Sequence, residues 1–120
     1  MSPTGTAIGA SETAANSHAR QVPVVQQVET SAKRLVRAIA QGRVREARRL
    51  ASPRALDRLK GTNWRVSYCY RTSGDPEDDF EYVGPLRWGC NFYTNAGGVG
   101  VGYKKVDGVW KALRVANIAD

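Results

Sequence analysis

The chain contains very little histidine and cysteine, and this scarcity excludes most familiar catalytic and metal sites. Its one histidine, His18, falls in a polar N-terminal stretch, so the region expected to fold has no imidazole for acid–base catalysis. Its two cysteines form no CxxC motif, and a closed zinc site needs four nitrogen or sulfur ligands. The sequence therefore predicts no metal site, no cofactor and no catalytic residue.

The chain also lacks an apolar run long enough to span a bilayer, and it does not begin with a recognisable signal peptide. Residues 1–22 are largely Ser, Thr, Ala and Gly without helical or strand periodicity, and we predict a disordered tail there. Residues 23–120 suffice for one small domain. The stretch "MSPTGTAIGASETAANS" is typical of a polar stalk that follows an export or anchor segment. We therefore expect an extracytoplasmic protein, with a cytoplasmic one as the alternative.

Acidic residues are scarce in the middle of the chain, where Glu46 and Asp57 stand against ten Lys or Arg between positions 31 and 61. The basic face predicted for the helices consists of Arg34, Arg37, Arg45, Arg48 and Arg49. Such a face can attract nucleic acid or an anionic surface, and its plain alternative is a solvated helix surface. No aromatic residue is interleaved with these arginines, as a single-stranded nucleic acid site would require. The pattern thus argues against nucleic acid and leaves an anionic surface open.

Two other stretches suggest ligand sites only superficially. The acidic segment between Asp75 and Glu81 lacks the alternating pattern of a calcium loop, and we interpret it as a solvated loop. In "NAGGVGVGYKK" the glycines alternate with valine and lead into a strand, without the lysine and hydroxyl residue of a phosphate loop. Alternating glycine predicts a bare sheet face that either lets a helix or a Trp ring approach closely or allows a bulge.

Helical periodicity dominates the first half of the folding region. The apolar positions spaced by three and four are Val25, Val28, Ala32, Leu35 and Ile39. Gly42 is predicted to end this helix. A second helix is predicted from about Arg43, with its inward positions at Val44, Ala47, Leu50 and Ala51. A third, short helix has Ser52 as its N-cap, Pro53 at its first position and Gly61 at its end.

From Trp64 onward the period changes to two, which predicts strands. In "WRVSYCY" we expect Trp64, Val66, Tyr68 and Tyr70 on one face and Cys69 on the other. The later strands are "LRWGCNFY", "GVGVGYKKV" and "VWKALRV", and the last two are joined by Asp107-Gly108, a strong hairpin signal. Helices followed by antiparallel strands predict an α+β fold with the helices packed on one face of a curved sheet.

The two cysteines lie in predicted strands that flank one loop. A disulfide between Cys69 and Cys90 would close a loop of about twenty residues and contribute on the order of 3 kcal/mol to stability. Two reduced core cysteines are the alternative. If the disulfide forms, it favours an oxidising compartment.

The order of these motifs resembles the nuclear transport factor 2-like superfamily, and more narrowly its small exported actinobacterial members. The similar segments are "AKRLVRAIAQGRVREARRLASPRALDRLKG", "WRVSYCY", "GCNFY" and "VDGVWKALRV". The resemblance covers about residues 25–118 and implies a cone: a bent antiparallel sheet around helices, with a pocket at the open end. The acid–base positions of the catalytic members have no clear counterparts here.

The resemblance favours a non-catalytic, exported or envelope-tethered domain that binds a protein partner or a small apolar ligand. Envelope and secretion-system proteins are the partners we expect, with a homodimer as a further option. The residues predicted to line the cone pocket are Trp64, Tyr68, Trp88, Tyr103 and Trp110. A small-molecule isomerase- or cyclase-like enzyme is the alternative, and nucleic-acid or anionic-surface binding through the basic helices is a further one.

Overall fold

A computed structural model describes residues 22–72 and 86–118. Three helices precede four strands along the chain. The helices are α1 (Val24–Ala40), α2 (Val44–Leu50) and α3 (Pro53–Leu59). The strands are β1 (Arg65–Arg71), β2 (Trp88–Thr94), β3 (Gly97–Val106) and β4 (Val109–Asn117). The fold is thus α+β, as predicted, while the predicted tail (apart from Val22) and the acidic segment from Asp75 to Glu81 lie outside the described residues.

The long helix α1 forms because its apolar side chains recur on one face. Val28, Ala32 and Leu35 are fully buried, whereas the intervening charged positions face solvent. The helix ends where Gly42 adopts a positive φ of 69°, the conformation that the sequence predicted for a C-terminal glycine.

The short helices α2 and α3 are fixed mainly by their ends and by the sheet. The backbone N–H of Ala55 donates to the Ser52 hydroxyl oxygen at 3.2 Å, which confirms the predicted N-cap of α3. The N–H of Ser52 donates to the carbonyl of Ala112 in β4 at 2.8 Å, so the corner between the two helices is attached to the sheet. Val44 contradicts the prediction of an inward position: as the first residue of α2 it is 55% exposed.

The four strands form one antiparallel sheet in the order β1-β2-β3-β4. The turn between β3 and β4 is made by Asp107 and Gly108, both with positive φ (50° and 80°), as the sequence predicted. Each strand pairs with its neighbour in sequence, so the sheet is a meander. The helices cover one face of this sheet and build a single core with it.

A bulge in β1 overturns the predicted faces of that strand. Val66 pairs with Phe92, but Tyr68 pairs with Asn91, so Ser67 is an extra residue. The extra residue exchanges the faces of everything after it. Val66 and Cys69 therefore point to the helix side with Phe92, whereas Tyr68 points to the opposite side. We predicted Trp64, Val66, Tyr68 and Tyr70 on one face and Cys69 on the other. This prediction is wrong for Tyr68 and Tyr70, which point away from the helices, and for Cys69, which points toward them.

The bulge also brings the two cysteines together. Cys69 and Cys90 are direct partners across β1 and β2 and form a disulfide, which confirms the predicted pairing. Cys90 is fully buried and Cys69 packs against the core, so the bond joins β1 to β2 on the face that the helices cover. The disulfide is consistent with an oxidising compartment.

Candidate functional site

The aromatic residues predicted to line a pocket lie on two different sides of the sheet. Trp88 and Tyr103 are strand partners on the helix side, and Trp88 contacts Trp110 edge to face at 6.4 Å between ring centroids. Trp64 reaches the same side, 6.4 Å from Phe92. Tyr68 lies on the other side and is 44% exposed. The structure thus groups four of the five rings and separates Tyr68, which sequence alternation had placed with Trp64.

Two of the tryptophans are held in place by hydrogen bonds from their indole N–H groups. Trp64 donates to the carbonyl of Leu59 at 2.8 Å, and Trp110 donates to the Gln27 side-chain oxygen at 3.0 Å. The Ser31 hydroxyl in turn donates to the carbonyl of Trp110 at 2.6 Å. These contacts join the rings to α1 and to the end of α3. That the rings line a ligand pocket stays a prediction; their observed contacts are those of a packed core.

Tyr103 is the most unusual residue of the aromatic group. Its side chain is 1% exposed, and its hydroxyl has no hydrogen-bond partner within the described part of the chain. Burial raises the pKa of this phenol far above its ordinary value, so the hydroxyl is neutral at physiological pH. Neither of the two depressions described below includes Tyr103 in its lining.

The opposite side of the sheet carries the alternating glycines. Gly89 lies under the ring of Tyr70, and Gly98 lies under the ring of Tyr93, where an added Cβ would approach ring atoms to 3.2 Å and 2.5 Å. The Tyr70 hydroxyl donates to the side-chain oxygen of the buried Asn91 at 3.1 Å. Of the alternating glycines, Gly98 thus allows a ring to approach its strand closely, and Gly89 in β2 does the same.

A depression of about 560 Å³ lies among the three helices, and we call it the helical groove. Its apolar lining is Ala38, Ile39, Val44, Ala47, Ala51 and Leu56. The alanines are almost fully buried and form its base, because small side chains leave the space open above them. Val44 lies at the edge. This volume falls within the range typical of ligand sites.

Charged side chains surround this apolar base. Arg43, Arg48 and Lys60 line the groove together with Asp57. Lys60 is paired with Asp57 at 3.1 Å, whereas Arg43 and Arg48 have no carboxylate partner among the described residues. The helical groove therefore combines an apolar base with unpaired positive charge at its edge.

A second depression lies beside α2 and shares Arg43 and Val44 with the helical groove. It is lined by Arg34, Arg43, Arg45 and Arg49 around Val44 and Glu46. Glu46 accepts hydrogen bonds from Arg49 at 3.0 Å and from Arg34 at 2.8 Å. The hydrogen bond from Arg49, supported by that from Arg34, holds the pKa of the Glu46 carboxyl below its ordinary value. Arg49 lies three residues after Glu46 on the same helix, whereas Arg34 belongs to α1, so the pair between Arg34 and Glu46 links two helices.

We define the arginine surface as the four arginines of the second depression together with the exposed Arg37 and Arg48. The four are Arg34, Arg43, Arg45 and Arg49. All five residues of the predicted basic face belong to it and are exposed. Arg37, Arg43, Arg45 and Arg48 have no carboxylate partner in the part of the chain that the structure describes.

Among the described residues, no group of three or more His, Cys, Asp or Glu could hold a metal ion. No described helix is both long and apolar enough to cross a membrane. No family model matches the chain, and no curated protein or solved structure matches it either. The binding surfaces are therefore judged by their own geometry.

Sequence reasoning missed the helical groove. Its base comes from alanines in α1, in α2 and in the connection after α2, and the short connections that bring them together cannot be read from periodicity alone. One available signal was the small size of Ala47 and Ala51 at predicted inward positions of α2. A run of small inward side chains next to charged positions can indicate an open space between helices.

Proposed function

We propose that the chain is a non-catalytic, extracytoplasmic binding domain of the nuclear transport factor 2-like superfamily that recognises a protein partner through the helical groove. The observation on which this rests is the combination of an apolar base with Arg43 and Arg48 at its edge, neither of which has a carboxylate partner among the residues that the structure describes. An apolar pocket with a few polar groups is the usual form of a recognition site.

The architecture supports the family proposal. Helices precede a four-stranded antiparallel sheet and cover one of its faces, as the resemblance implies. The Cys69–Cys90 disulfide supports an exported location, because disulfides persist mainly in oxidising compartments. These two observations support the proposed family and compartment, whereas the groove supports the proposed binding function.

The groove also indicates the kind of partner. Ala47 and Ala51 at its base provide room for an apolar side chain, and the neighbouring guanidinium groups would pair with a carboxylate. We therefore propose a partner segment that presents an apolar residue close to Asp or Glu. Because Arg43 and Arg48 are solvent-exposed, they contribute to specificity and association rate more than to affinity.

The test is selection of linear peptides on the immobilised domain, followed by affinity measurement by fluorescence anisotropy. We expect the selected peptides to combine an apolar residue with an acidic one. Charge reversal by Arg43→Glu/Arg48→Glu should weaken their binding by about tenfold or more, since two attractions become repulsions.

The matched control is Lys104→Glu/Arg114→Glu, which makes the same charge change at exposed positions on the sheet face opposite the helices. This control should leave binding almost unchanged. Equal losses in the two variants, or selected peptides without acidic residues, would contradict the proposed site.

A second candidate function is an isomerase- or cyclase-like enzyme, and the observation that favours it is the buried hydroxyl of Tyr103. A neutral phenol of this kind could donate a hydrogen bond to a substrate oxygen but could not act as a base. For this function the hydroxyl would have to be reachable by a ligand, and the two depressions described above do not include it. Steroid or polyketide-like probes should change the tyrosine absorbance of the wild type but not of Tyr103→Phe if they reach this hydroxyl, and this result would support the enzyme. The same response in both proteins would argue against it.

A further inference from the structure

The arginine surface and the helical groove are two different sites, although both include Arg43 and Arg48. Arg34, Arg43, Arg45 and Arg49 line one depression together with Val44 and Glu46, and the exposed Arg37 and Arg48 complete the arginine surface. Glu46 is already engaged by Arg34 and Arg49. The rest of the surface therefore keeps its positive charge and creates a field that attracts anions over several ångströms.

The centre of this charged area is apolar. Val44 is 55% exposed, the largest exposed fraction among the large hydrophobic residues that the structure describes. It is flanked in the chain by Arg43 and Arg45 and projects from the corner where α1 turns into α2. An exposed aliphatic side chain among cationic side chains can enter the headgroup layer while the charges attract anionic lipid.

The composition of the surface favours a bilayer over nucleic acid. The segment from Val22 to Lys60, which contains all three helices, has no Phe, Tyr or Trp. Single-stranded nucleic acid sites combine positive charge with aromatic rings on which the bases stack, and such rings are missing from these helices. An aliphatic residue gains nothing from a phosphate backbone, whereas it can enter the boundary between headgroups and acyl chains.

We propose that the arginine surface binds the surface of a bilayer that contains anionic phospholipid, with Val44 at the point of contact. The domain lies on the bilayer through α1 and α2, and its sheet faces away. Arg37 and Arg45 are the residues to substitute in a test of bilayer binding. Neither has a carboxylate partner in the described regions and neither lines the helical groove, so their removal changes the charge of the surface without breaking an ion pair or altering the groove.

The test is sedimentation of the full chain with vesicles of phosphatidylcholine containing roughly one third phosphatidylglycerol, at low and high salt. We expect binding at low salt, release at high salt, and no binding to vesicles of phosphatidylcholine alone. The variant Arg37→Ala/Arg45→Ala should lower the partition coefficient by about 25-fold, at roughly fivefold for each basic residue near the surface. The control Lys104→Ala/Arg114→Ala removes the same charge from the sheet and should lower it much less.

A neutral substitution separates membrane contact from general electrostatics. Val44→Ser keeps every charge, and we expect it to lower the partition coefficient by about threefold, because insertion removes part of the exposed valine from water.

Equal losses in the helix and sheet double variants would overturn the proposal. So would binding of a DNA duplex at a salt concentration where the anionic vesicles are not bound. Peptide binding in the groove should survive Arg37→Ala/Arg45→Ala, so the two functions can fail independently.

Discussion

Removal of the Cys69–Cys90 disulfide should lower the free energy of unfolding by about 3 kcal/mol. The two cysteines are 21 residues apart, and a cross-link that closes a loop of this length restricts the unfolded chain by about that amount in the chain-entropy model. A small domain is typically stable by only about 5–15 kcal/mol, so the loss is a large share of the total.

Two perturbations separate the cross-link from the packing of its atoms. Chemical reduction breaks the bond but keeps both sulfur atoms, whereas Cys69→Ala/Cys90→Ala also removes the sulfur of the fully buried Cys90 from the core. Reduction should therefore cost about 3 kcal/mol, and the double substitution should cost more by roughly 1–2 kcal/mol for the space left behind.

Urea unfolding followed by circular dichroism measures both effects. With a slope of about 1–2 kcal/mol/M for a domain of this size, reduction should lower the midpoint by roughly 2 M. The oxidised wild type, carried through the same steps without reductant, is the control. A reduced protein with a midpoint within about 0.3 M of the oxidised one would refute the reasoning, since the cross-link would then contribute almost nothing.

Three further substitutions test individual parts of the structure by the same urea assay. Tyr103→Phe should raise the free energy of unfolding by about 1 kcal/mol, because it removes a buried hydroxyl without a partner; a loss of stability would contradict this. Gly108→Ala should lower it by about 1 kcal/mol, because φ is 80° there, and an unchanged midpoint would count against the turn geometry. Glu46→Gln should destabilise at neutral pH, where the carboxylate engages Arg49 and Arg34. Because the pKa of Glu46 is lowered by folding, its contribution is lost as pH falls through that pKa; a pH-independent difference would rule out the ion pair.

The local ends of the helices and the β3–β4 turn could be predicted because short-range chemistry determines them. Ser52 caps α3 through its own hydroxyl, Gly42 supplies a positive φ, and Asp107-Gly108 makes the tight turn. Each of these features involves residues that are close in the chain. The disulfide was predictable for a related reason, since both cysteines lie in strands that flank one loop.

The errors arose where the register between distant segments decides the outcome. One extra residue, Ser67, moved Tyr68 to the other side of the sheet and Cys69 into the core. Alternation in a single strand contains no information about such a bulge. Val44 was predicted to point inward because it fits a helical spacing, but it starts α2 at a corner where no element covers it. The helical groove was missed because three helices contribute to it.

The most direct test of the central claim is to locate a bound peptide on the domain by amide and indole chemical shifts. The account predicts that a selected peptide perturbs the backbone amides of Ala47, Ala51 and Leu56, which line the helical groove. The indole N–H signals of Trp64 and Trp110, bonded to Leu59 and Gln27 on the inner side of the sheet, should stay unchanged. Large shifts of the two indole signals with unchanged groove amides would contradict the account and return the binding site to the aromatic residues.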